Sequence, residues 1–94
     1  MIRNDVVSVG TSSVTLAARK NARRAGFSLN NSGAVAATIT LSHVAAVANE
    51  GIVLQPGDIY AQSNTEGYVC WQGDIQAISS GAGTTISIQE QMEF

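Results

Sequence analysis

The side chains able to do chemistry are few in these 94 residues: one histidine, one cysteine and seven scattered carboxylates. Nucleophilic or acid–base catalysis needs a reactive group held by a second one and oriented by a third. His43 closes an apolar stretch, and no motif joins it to a carboxylate or to Cys70, so it reads as an edge or interface residue. Cys70 lies between Val69 and Trp71, a strand-like setting in which a free thiol behaves as a small apolar side chain. The run Gly81-Ala82-Gly83-Thr84-Thr85 has the glycines of a phosphate cradle. It lacks the lysine, and no helix is expected after it to hold the anion, so it reads as a turn. A lone cysteine cannot close an internal disulfide, and a lone histidine without a cysteine pair does not make a structural zinc site. The sequence therefore predicts no catalytic residue, no metal site and no cofactor.

The features left over suit recognition of another surface. Four of the five cationic residues, Arg19, Lys20, Arg23 and Arg24, fall within six positions. Guanidinium groups at such a cluster can hold carboxylates of a neighbour through paired hydrogen bonds. The cluster is small and has no interleaved aromatic residues to stack on bases, and the chain's net charge is −2, which argues against nucleic acid as the partner. Tyr60, Tyr68 and Trp71 could form an aromatic recognition surface, although Trp71 is equally suited to the core of a chain with so few large residues.

These residues are carried by short strands. Apolar and polar residues alternate with a period of two, and Gly, Asn and Ser punctuate the alternation. Strands are expected at Val7–Val9, Val14–Leu16, Phe27–Asn30, Val35–Ser42, over Gly51–Gly57 where Pro56-Gly57 closes it, from Ile59, in the strand-like stretches Tyr68–Trp71 and Asp74–Ile78 around Gly73, and at Thr84–Gln89. In the fourth, Ile39 and Leu41 should face the core and Thr38, Thr40 and Ser42 the solvent or a neighbour. Residues 17–24 read as a long loop or one helical turn ended by Gly26, Pro56-Gly57 as a turn, and Gly73 as a bulge. About seven or eight short strands without a convincing helix give an all-β fold: a small antiparallel β-sandwich, jelly-roll-like or immunoglobulin-like, with a small barrel as the alternative. Residues 1–94 are expected to form one domain, with 1–5 and 90–94 as tails that are flexible or make contacts.

Composition limits how such a domain can be stable. The chain is 45% hydrophobic but has only two Phe, two Tyr and one Trp, so its core should be thin. Thin cores in short chains are usually helped by disulfides, metals or oligomerisation, and only the last is open here. The N-terminus lacks a signal-like apolar run, and no window approaches the ~20 apolar residues of a membrane span. A soluble chain made in the cytoplasm, without a membrane partner, is the expectation.

Four stretches carry a resemblance. They are Val14-Thr15-Leu16-Ala17-Ala18 with Asn21 and Arg24, Phe27-Ser28-Leu29-Asn30-Asn31-Ser32, Gly51-Ile52-Val53-Leu54-Gln55-Pro56-Gly57, and Gly73-Asp74-Ile75-Gln76-Ala77-Ile78-Ser79. In order and spacing they resemble small virion proteins of tailed bacteriophages, over about residues 12–90. The resemblance implies a compact β-sandwich that decorates or cements a capsid or forms the head-attached part of a fibre. It also implies residence on the virion, contact with the major capsid protein or another virion protein, and a homo-oligomer, for which a trimer is the expectation. It further implies that Arg24 and Asn30 fix a loop against the sheet. Two readings of different kinds follow: a structural assembly module, and a host-surface binding module that uses the aromatic residues on a glycan or protein, with a tail-associated structural component as a further alternative.

Overall fold

The computed structural model describes residues 2–18, 23–65, 67–81 and 83–92. Eight strands form: β1 (Ile2–Val9), β2 (Val14–Ala17), β3 (Arg24–Asn31), β4 (Ala37–Thr40), β5 (Ile52–Leu54), β6 (Ile59–Ser63), β7 (Ile75–Ser79) and β8 (Thr84–Met92). They make two four-stranded sheets, ordered β1-β8-β3-β6 and β2-β7-β4-β5, and every pairing is antiparallel. The pairings β1·β8, β2·β7, β3·β6 and β4·β5 are nested, like one long hairpin rolled up so that β8 also meets β3 and β7 also meets β4. That order is a jelly roll, so the sandwich expectation holds and neither the immunoglobulin-like nor the barrel alternative does.

Alternation explains which residues meet between the sheets. Along β8, Thr84, Ile86, Ile88, Glu90 and Met92 are buried while the residues between them are more open, and Phe27 and Leu29 of β3 and Val9 of β1 share that inner face. The second sheet contributes Leu16, Ala17, Ala37, Ile39, Leu54, Ile75 and Ala77. Alanine is frequent on its inner face, so the core is thin, as the composition implied.

Several local readings change. Of the expected tails, Ile2–Asp5 is strand and pairs with residues 88–91 of β8, β8 runs to Met92 with Glu90 0% exposed, and Met1, Glu93 and Phe94 lie outside the described residues. A carboxylate at an inward position had broken the apolar pattern that would have extended β8. Residues 68–71 are not a strand but part of an irregular crossover from β6 to β7, tied by side chains in place of a ladder. Asn64 Oδ1 accepts the Cys70 N–H at 2.9 Å, and Gln62 Oε1 accepts the Trp71 N–H at 2.8 Å. β3 begins at Arg24, ahead of Gly26. The strand expected over 35–42 is only Ala37–Thr40. Thr38 points away from the core yet is buried, because the segment after β4 folds back over it and the Asn49 N–H donates to its hydroxyl at 2.8 Å. Gly73 is a bend without strand pairing, and the Trp71 ring lies over it.

Candidate docking face

The lone histidine and the lone cysteine sit in different environments. His43 is exposed on the segment after β4, and Cys70 is buried. Burial pushes the Cys70 thiol above its ordinary pKa, with the nearby Arg24 charge partly opposing. Among the described residues no group of three His, Cys, Asp or Glu side chains could hold a metal. His43 shares a shallow cleft of ≈ 240 Å³ with Trp71, Gly73 and Asp74. In it the indole N–H donates to the Asp74 carbonyl at 2.8 Å, which leaves the ring face as the group on offer.

The two described members of the cationic cluster face different ways. Arg19 and Lys20 lie outside the described residues, Arg23 is exposed, and Arg24 is 2% exposed. This corrects the placement of Arg24 on a partner surface. A β-bulge at Arg24/Gly26 shifts the alternation of β3 and turns Arg24 inward, opposite Met92. Its Nε donates to Glu90 Oε2 at 2.9 Å, and its Nη1 to the carbonyls of Trp71 and Gly73 at 2.8 and 3.1 Å. The guanidinium also lies 5.6 Å from the Phe27 ring centroid. Arg3 of β1 binds the other Glu90 oxygen and pairs with Asp5 at 3.0 Å. Partial burial by itself would lower the Arg3 pKa, but the hydrogen bonds and charges of Glu90 and Asp5 outweigh it and raise it.

Asn31, not Asn30, fixes the loops. Its Nδ2 donates to the carbonyls of Val35 and Leu54 at 2.8 and 2.9 Å, and its Oδ1 accepts from the Gly33 N–H and the Thr84 hydroxyl at 3.1 and 3.0 Å. Its backbone binds the turn after β5 as well, through Gly57 and Asp58. The aromatic trio is also divided. Tyr60 is half-buried on the inner face, packed against Phe27 with ring centroids 6.2 Å apart, so it does not belong to an exposed platform. Tyr68 and Trp71 keep exposure in the crossover.

Compared with known proteins, the chain matches no family model and no curated sequence. The surface itself offers the strongest feature, one that sequence reasoning did not single out: the outer face of the β1-β8-β3-β6 sheet. Its registered rows are Ile2–Gln91–Gly26–Ser63, Asn4–Gln89–Ser28–Ala61 and Val6–Ser87–Asn30–Ile59, followed by Ser8–Thr85 with Ser32 beyond. None of these side chains is charged. Three of the four most exposed large apolar residues among those described lie here, Ile59 at 65%, Val6 at 62% and Ile2 at 58%.

Some polar groups of this face bond within its plane. Gln89 Nε2 donates to Asn4 Oδ1 at 2.9 Å, and the hydroxyls of Ser32, Thr85 and Ser87 are joined at 3.0 and 3.2 Å. Groups that already bond to one another lose water at smaller cost than unpaired ones. The other sheet is different, since its outer face is partly roofed over Thr38 by its own chain.

Proposed function

We propose that this chain is a structural assembly module that works in many copies on a phage particle, as a capsid decoration or head-fibre protein. The observation that carries the reading is the uncharged outer face of the β1-β8-β3-β6 sheet, with Ile2, Val6 and Ile59 exposed on it. Exposed apolar groups gathered on one face of a small domain mark a contact surface. The resemblance to small virion proteins supplies the setting, with the major capsid protein or another virion protein as the partner. The jelly roll is compatible with it, since that architecture recurs in capsid and lectin domains, although a fold by itself does not fix a function. Many modest contacts in a shell add up through high effective concentration.

The test is co-sedimentation of the purified chain with phage heads stripped of their decoration. The wild type should pellet with the heads, Ser87→Glu on the open face should not, and Val53→Glu on the other sheet should still pellet. Heads that ignore the wild-type chain would overturn the virion reading.

The cleft beside Trp71 supports a second reading, a glycan-binding module in which a sugar ring stacks on the indole face and its hydroxyls meet His43 and Asp74. Fluorescence of the lone tryptophan should then change on titration with host-surface glycans. No change across a glycan panel would remove this reading.

A further inference from the structure

We infer that the open face of the β1-β8-β3-β6 sheet pairs with the same face of a second copy of this chain, across a two-fold axis. The inference rests on the assembly reading above and makes this face the contact between copies, so that the particle is met through the pair's remaining surface. A two-fold interface uses one patch twice, so the patch must be complementary to itself in charge and in shape.

Charge comes first. A face carrying charges of one sign would repel its copy, whereas interfaces between different proteins commonly select partners by complementary charge. This face carries none, and Asp5, beside Val6 on β1, is paired with Arg3 at 3.0 Å. Shape gives the second argument. Gln89 stands between two hollows, one of ≈ 350 Å³ over Ser87 and one of ≈ 220 Å³ over Gly26, Ser28 and Ala61. Knobs and hollows therefore occur on one surface, and Val6 or Ile59 of one copy can enter the hollows of the other.

Size is sufficient. The 30 strand residues of this sheet, at ~3.4 Å along a strand and ~4.8 Å between strands, give a footprint of roughly 500 Å² before side-chain relief. That relief brings it near the ~800 Å² per partner of a standard interface. Stacked sheets of two copies would sit ~10 Å apart, as the sheets of a sandwich do. The competing mode, edge-to-edge growth along β1, is blunted. The Val6 N–H donates to the Asp5 carboxylate at 2.8 Å instead of waiting for another strand, and the Arg3–Asp5 pair sits beside it. Pairing by the face across a two-fold axis closes after two copies, whereas pairing of the β1 edge with the β6 edge of another copy would not.

The experiment is sedimentation equilibrium and light scattering of the full chain over a concentration series up to millimolar. The wild type should approach twice the monomer mass. Ser87→Glu, which sets two carboxylates against each other near the axis, should weaken association by ~100-fold or more with an unchanged circular dichroism spectrum. Val53→Glu, on the other sheet, should leave the mass unchanged. If Ser87→Glu fails to fold, Val6→Lys provides the same test at an exposed edge position. A wild type that remains monomeric throughout, or a trimer, overturns the pairing, as does a dimer indifferent to both face substitutions. A monomer that still binds phage heads would sink the self-pairing and spare the assembly reading. A dimer that ignores heads would do the reverse.

Discussion

Arg24 and Glu90 meet inside the sandwich, Nε to Oε2 at 2.9 Å, with side chains only 2% and 0% exposed. Breaking such a pair strands a buried charge, which typically costs ~3–5 kcal/mol, a large share of a small domain's ~5–15 kcal/mol. Glu90→Gln should therefore lower the urea midpoint sharply without changing the slope of the transition. The double variant Arg24→Met with Glu90→Leu should lose much less than the two single losses combined. Losses that add within about 0.5 kcal/mol would show that the two residues are not coupled.

The Asn31 hub makes a separate prediction. All four of its side-chain hydrogen bonds are used, so Asn31→Ala leaves the Leu54 carbonyl and the Thr84 hydroxyl without that partner. The expected cost is ~2–4 kcal/mol. At 4–8 °C per kcal/mol for a domain of this size, thermal unfolding should drop by at least ~8 °C. Asn30→Ala, one position along and facing outward, should move it by no more than a few degrees. Equal effects would mean that the loops are held by their backbones.

How much of this was legible before any coordinates turns on parity. With Phe27 and Leu29 taken as inward, the period of two places residue 31 inward, so the alternation pointed to Asn31 even though Asn30 was favoured from the resemblance. For the arginines the same period points the wrong way. It would bury Arg23, and only the bulge at Arg24/Gly26 exchanges the two. A bulge leaves little trace in a sequence, because its one extra residue is fixed by pairing with a distant strand. The strands around apolar pairs were readable from local residues. The open face was not, since it exists only once β1, β8, β3 and β6 are in register and the chain has roofed the other sheet.

Two glycines should behave oppositely. A Cβ on Gly33 would lie 1.8 Å from the Thr84 hydroxyl oxygen and 2.7 Å from the Thr85 backbone nitrogen, whereas one on Gly10 meets nothing within 4 Å. Gly33→Ala must displace the residue that also holds Asn31, and should destabilise by more than ~2 kcal/mol. Gly10→Ala keeps an ordinary φ and restricts the unfolded chain, so it should be neutral or stabilise by up to ~1 kcal/mol. Chemical denaturation of the two variants side by side is the check, and a mild Gly33→Ala would show that the 31–35 turn can shift without loss.

Cys70 contributes to the loss of stability at alkaline pH. Its thiol is buried, donates to the Arg24 carbonyl at 3.4 Å, and has its pKa raised, chiefly by burial. The native state thus holds the proton more tightly than the unfolded state does. The sign follows from linkage: above the ordinary thiol value of about 8.5 the unfolded chain ionises first, so this group's contribution is intact below that pH and is lost as pH rises through the native value. Stability measured by urea unfolding should fall more steeply above that pH in the wild type than in Cys70→Ala, and the difference isolates the thiol from every other group titrating in the range. Parallel profiles would refute the assignment. A thiol reagent gives an independent reading: labelling of native protein should be slow and should accelerate in step with the urea transition, whereas rapid labelling without denaturant would mean that the crossover opens while both sheets remain folded.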